Sequence, residues 1–353
     1  MANDVLVIRG RGRIEGTLIQ AGAHEVRWKT PSGPESGPAW SVASIELGDA
    51  PEEWWAGRGA LVEARFDDAI AAFEKVAATG HRLASWAGFQ AFTAHRIQCE
   101  VTGRGHGEAL ARGSRWLESH PDDWYRAPAL FAQAILAIEG ADAVAHVSPA
   151  AERWQEAKRC LDLLDDEPFG PVWRLYAQLG RARLMTRQKG VEAEVPRAFE
   201  KVRDAADKTP MGREVGQMAE AWLARWRQET GQPQALLKGI PRAVIDGQEM
   251  PAVMGADWLG SPAAPVLLNA IGEAYLALDK DAGPIAALPF HLRVTRYFSG
   301  QHAEHARALA LAARGFLAGG NEQDGEALRE QLRVRYPGSR WLKQLANGRH
   351  PGD

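Results

Sequence analysis

A chain of 353 residues with 42 Lys+Arg against 45 Asp+Glu carries a formal net charge of -3, which gives it no overall pull toward nucleic acid or anionic lipid. Its charged fraction of 25% and its AVILMFWYC fraction of 45% are those of a folded globular protein, and no stretch approaches the roughly 18 unbroken apolar residues of a membrane helix. Two cysteines far apart, Cys99 and Cys160, exclude a disulfide framework or a cysteine metal cluster and read as buried structural thiols.

Residues 1 to 48 read as a small all-β module. Short strands are predicted at Val5–Ile8, Arg13–Ile19, His24–Lys29 and Val42–Leu47, punctuated by Gly10, Gly12, Gly16, Gly22 and a Pro31-Ser32-Gly33-Pro34 turn. Arg9, Arg11 and Arg13 alternate with glycines, which on a strand would set three guanidiniums on one face. They are the candidate anion or nucleic-acid contacts, weighed against a solvated strand face or a charged, protected edge. The spacing Val5-x-Val7-x-x-Gly10 followed by Gly16-x-Leu18 resembles the opening of Sm-like and SH3-like barrels, which implies a closed small barrel. The segment Ala21-Gly22-Ala23-His24 lacks the polar Asp/Asn pair of the RNA-binding Sm members.

From Asp49 the pattern turns helical. Pro51 suits a first turn, and Glu52 and Glu53 complement the helix dipole. Helices are predicted near 51–62, 66–78, 82–101, 106–119, 122–139, 149–165, 171–188, 194–207 and 212–230. The stripe Ala69, Phe73 and Val76 recurs as Ala109, Gly113 and Trp116, as Ala157, Leu161 and Leu164, and as Ala198, Val202 and Ala205. With Gly57 twelve residues before Ala69, and with Trp173 to Leu179-Gly180, the chain resembles the tetratricopeptide-repeat family over about residues 51–345. The resemblance implies stacked helix pairs whose first helices line a peptide-binding groove. The copies stand 40, 48 and 41 residues apart where that family's period is about 34, so an irregular α-solenoid is the broader expectation.

One apolar face is predicted on 212–230: Val215, Met218, Trp222 and Trp226. The repeats run from 49 to 231. Residues 232–265, rich in Pro and Gly, read as an insertion or hinge; helical repeats resume over 266–346, faltering from Gly283-Pro284 to Phe298, and 347–353 read as a frayed tail.

No spacing encodes catalysis, so no catalytic residue, metal ligand or cofactor is assigned. His302 and His305 read as surface histidines, and the acids Asp162, Asp165, Asp166 and Glu167 as a solvated loop edge. The glycines of Gly103-x-Gly105-x-Gly107 read as a flexible turn. The expected fold is mainly α, an irregular tetratricopeptide-like solenoid behind a small all-β barrel. The expected function is a non-enzymatic cytoplasmic scaffold that binds a protein or peptide partner through Gln90, His95, Trp124, Tyr125, Arg174, Gln178 and Arg181. Homo-oligomerisation through the barrel or through tryptophan-bearing surfaces such as Trp54-Trp55 is the alternative, and nucleic-acid binding by the β module the third reading.

Overall fold

The computed structural model describes residues 3–142, 149–209, 212–238, 261–279 and 282–346. The predicted insertion falls mostly outside them, at 239–260, as does the tail from 347.

Five antiparallel strands open the chain: β1 (Asp4–Ile8), β2 (Gly12–Ala21), β3 (Glu25–Thr30), β4 (Gly33–Pro38) and β5 (Val42–Glu46), in the order β4-β3-β2-β1-β5. The four predicted strands are present. β4 stands where a turn was expected, because an edge strand tolerates Pro34 and Pro38, whose missing N–H groups cost the ladder nothing on the outer side. The barrel does not form: β4 and β5 remain the two edges of an open sheet. One face is buried against helices instead, since Leu6, Ile8, Val26, Trp28, Val42 and Ile45 share a core with the first helices.

Fifteen helices follow among the described residues, and the chain divides into two compact units. The first, Met1–Cys99 with Arg104–Arg187, holds the sheet and α1 (Glu52–Val62), α2 (Phe66–Ala77), most of α3 (Ala84–Thr102), α4 (His106–Ser119), α5 (Arg126–Asp142), α6 (Pro149–Asp166) and α7 (Pro171–Met185). Helix α1 packs on α2, α4 on α5 and α5 on α6, and α7 lies against both α5 and α6. The predicted stripe is what they bury: Ala69, Phe73 and Val76 on α2, Ala109 and Trp116 on α4, Ala157, Leu161 and Leu164 on α6. Gly57 of α1 admits the Phe73 ring, which would stand 2.8 Å from an added Cβ. Where α4 has Gly113 in the place of Phe73, the vacated volume takes Phe92 and the Gln133 amide.

The second unit, Glu100–Gly103 with Gln188–Asp353, holds α8 (Val195–Ala206), α9 (Arg213–Glu229), α10 (Pro233–Lys238), α11 (Ala263–Leu278), α12 (Gly283–Tyr297), α13 (His302–Ala318), α14 (Glu322–Arg335) and α15 (Arg340–Ala346). Two expectations are corrected here. On α8 the buried stripe is Val195, Phe199, Val202 and Ala206, whereas Ala198 and Ala205 are half-buried; the larger apolar residues, not the alanines, decide which face turns inward. The faltering segment is the unbroken helix α12. Pro284 occupies the first turn, where no N–H is needed, and Pro289 is carried inside by the packing of Phe290, His291 and Val294. On α9 Met218 and Trp222 are half-buried, while Val215, Gly216, Ala219, Leu223 and Trp226 are buried, because α8, α10 and α11 cover it from several sides.

Candidate functional site

The sheet is fastened to the helices of its unit by one buried carboxylate. Asp4 accepts from the backbone N–H groups of Leu18 (2.8 Å) and Gly48 (3.0 Å) and from both Arg82 amino groups (2.9 and 2.6 Å); Arg82 also reaches Asp49. Burial alone would push the Asp4 carboxyl up, and these four donors bring it below its ordinary value. The connector between α4 and α5 adds a second attachment. Ala23 N–H donates to Asp122 O at 2.9 Å, Gly22 bridges Asp123, and the Trp124 indole N–H donates to Ala39 O at 3.4 Å.

Trp124 and Tyr125, both expected in a groove, therefore work in packing. Tyr125 stacks on Phe89 with centroids 4.4 Å apart and meets Trp86 edge-on; burial pushes its hydroxyl up to about 12, and Gln90 hydrogen-bonds that hydroxyl. His95 is buried on α3, held below its ordinary pKa by burial and by the Arg112 guanidinium. Arg181 pairs with Asp165 (2.6 Å) and Asp162 (3.0 Å), and Arg126 makes a two-pronged pair with Glu167 (2.9 and 2.8 Å). The acidic run at the end of α6 stays at the surface, and three of its four acids, Asp162, Asp165 and Glu167, find a basic partner within the chain. Arg174 is exposed and Gln178 half-buried on α7. The structure joins Gln90 to Tyr125 and Tyr125 to Trp124, and it does not bring the α7 residues to them.

The sequence reading missed the aromatic surface that α5 and α7 make together. Tyr176 lies 4.9 Å from Phe131 and 5.0 Å from Trp173, centroid to centroid, and all three rings are half-buried. On α7 Trp173 and Tyr176 turn to the α5 side, while Arg181 turns to α6. The Trp173-x-x-Tyr176 spacing was the available signal, an i,i+3 aromatic pair on one helix face.

The β module's arginines are engaged internally. Arg9 and Arg11 sit in the β1–β2 turn, not on a strand face, because Gly10 and Gly12 adopt left-handed φ of 81° and 83°. Arg9 donates to Trp40 O (2.7 Å) and Val42 O (3.3 Å), Arg11 pairs with Glu35 at 2.9 Å, and the exposed Arg13 stands 3.8 Å from Glu15.

A polar node between α5 and α6 gathers around Glu156. Glu156 accepts from Gln133 (3.1 Å), from Arg159 twice (2.8 Å each), and from the Cys160 thiol at 3.5 Å. Burial and the neighbouring Glu156 push the Cys160 thiol far up, so it is not a nucleophile at neutral pH; both cysteines are buried thiols outside any disulfide, as expected.

The second unit buries two further clusters. Arg307 clamps Glu273 through two bonds of 2.8 and 2.7 Å, and Arg225 holds Glu304 at 2.8 and 2.6 Å. Asn269 spends its amide protons on the Glu304 side chain and carbonyl, which leaves its Oδ1 to face His291 Nδ1 at 3.1 Å. His291 therefore donates from Nδ1, and its bare Nε2 abuts Gly272, where an added Cβ would collide with the ring. Burial and the Arg307 charge hold His291 down at about 3, so it is neutral. A polar pair at i,i+4 on an otherwise apolar helix, Asn269 and Glu273, was the sequence signal for this network.

His302 and His305 are also not surface residues. Both are buried, with Nδ1 atoms 3.2 and 3.0 Å from the Tyr336 hydroxyl, while His305 Nε2 faces Thr295 O at 3.2 Å. The carbonyl only accepts, so His305 donates from Nε2 and takes the Tyr336 proton at Nδ1; His302 then donates to the Tyr336 oxygen. The chain of donors runs one way and ties α13 to the end of α14. No group of three or more His, Cys, Asp or Glu placed to hold a metal occurs among the described residues, and no described helix is long and apolar enough to cross a membrane.

Searches against protein-family models, curated proteins and solved structures find no match to this chain.

Proposed function

We propose that this chain is an interaction scaffold built of irregular tetratricopeptide-like helix hairpins, and that its first unit binds a peptide or protein segment across α5 and α7. The observation that carries this reading is the half-buried aromatic surface of Phe131, Trp173 and Tyr176, on two helices that pack against each other. Rings that are partly covered and already mutually packed lose little side-chain freedom when a ligand docks, and they supply the apolar anchor that peptide recognition needs. By contrast, the buried ionic clusters already use their charges on one another, which supports a structural role for them.

Selection of peptides from a displayed random library on the purified protein tests this. The expected result is a consensus with an aromatic or large aliphatic anchor whose binding falls at least about tenfold in Trp173→Ala and Tyr176→Ala. Enrichment of no consensus, or of one indifferent to both substitutions, refutes it.

A further inference from the structure

Helix α1 carries two large apolar side chains on its solvent face. Its inward face is Trp54, Gly57 and Ala60, all buried. Its outward face sets Trp55, 48% exposed, and Val62, 65% exposed, on one stripe with Gly59 between them, since i, i+4 and i+7 fall together on a helix. Gly59 costs helix stability, about 1 kcal/mol relative to alanine. Nothing inside the molecule asks for it: an added Cβ would meet no atom within 4 Å, in contrast to Gly57, which must admit Phe73. A glycine between two exposed large apolar residues lets another helix backbone approach closely.

Charge indicates which helix. Arg58 flanks one side of the stripe and lies over the Trp55 ring at 5.2 Å; Glu52 and Glu63 flank the other side, and Glu63, which also takes a 2.8 Å bond from Arg65, keeps its second carboxylate oxygen toward solvent. A second α1 laid parallel by a two-fold axis sets each Arg58 opposite the other copy's Glu63, the i to i+5 pairing of parallel two-stranded helices. Antiparallel packing would set arginine beside arginine.

We propose that this face is a homodimer interface, in which the α1 helices of two copies of this chain pack in parallel along Trp55, Gly59 and Val62. The surface is separate from the aromatic surface of α5 and α7, so either proposal can fail alone. One short helix face buries less than a standard interface of about 1,600 Å², so the dimer is a weak one, with micromolar dissociation.

The test uses the full chain in sedimentation equilibrium, together with oxidation of Gly59→Cys. Cys99 and Cys160 are buried and do not compete. The expected result is a monomer–dimer equilibrium that Trp55→Glu and Val62→Glu each weaken at least about tenfold at unchanged melting temperature. Gly59→Cys should give a disulfide-linked dimer, while Glu326→Cys on the exposed face of α14 should not. Arg58→Glu should weaken the dimer and Arg58→Glu with Glu63→Arg should restore it. A monomer at every concentration overturns the proposal, as does a dimer indifferent to Trp55→Glu and Val62→Glu. If only the charge exchange fails to restore, the parallel arrangement is overturned.

Discussion

Replacing Glu273 by leucine removes the carboxylate that takes two hydrogen bonds, of 2.8 and 2.7 Å, from a guanidinium only 7% exposed. Arg307 then keeps its charge in the helix interior with two donors unmet. Glu304, the other carboxylate of the cluster, is already held by Arg225 and Asn269 and has no geometry to spare. Breaking a buried ion pair by removing one partner costs about 3–5 kcal/mol, whereas replacing both partners by apolar groups of similar volume is roughly neutral or stabilising. Glu273→Leu should therefore destabilise α11 to α13 by about 3–5 kcal/mol, and Glu273→Leu with Arg307→Met should recover most of the loss. Denaturant unfolding of both variants, with hydrogen exchange of the α11 and α13 amides to localise the change, measures this. A single substitution that costs under about 1 kcal/mol, or a double one as damaging as the single, refutes the reasoning.

Acid should weaken the second unit through its buried histidines. His305, held near 4 by burial and Arg335, and His291, held near 3, both titrate below the ordinary value of 6.5, so the unfolded chain binds the extra protons. Stability then rises with pH up to about 6.5 and is lost as pH falls toward 4, by about 3 kcal/mol for His305; His305→Gln should flatten that limb in unfolding free energy measured against pH. Gly57→Ala should cost about 1–3 kcal/mol because its Cβ meets the Phe73 ring, while Gly59→Ala should add up to about 1 kcal/mol to the monomer; denaturant midpoints compare the two. Arg82→Met should leave the ionised Asp4 short of two donors and speed hydrogen exchange in β1 and β5, an effect that shrinks as pH falls and Asp4 protonates, because a neutral carboxyl no longer leaves a buried charge uncompensated.

Helices and strands with one apolar stripe were legible in the residues alone. The periods of Ala69-Phe73-Val76 and Ala157-Leu161-Leu164 state which face must leave water, and the tertiary fold obeys them. The period fails where it competes with size, as on α8, or with company, as on α9, where several neighbours bury more than one face.

The candidate sites were less legible, because their chemistry comes from residues distant in sequence. His302 and His305 look like ordinary surface histidines until Tyr336, some thirty residues on, places its hydroxyl between them. The acids of α6 show no partner in the sequence until the fold brings Arg181 and Arg126 to them. Phe131 and Tyr176 become one surface only because α5 and α7 pack together.

By itself the sequence determined a small β module ahead of irregular helix pairs, since hydrophobic period and turn chemistry are local properties. Only the tertiary structure decided that the sheet stays open, which charges are buried against each other, and which face of α1 is left in water. Those are outcomes of pairing between distant segments, and no local period encodes them.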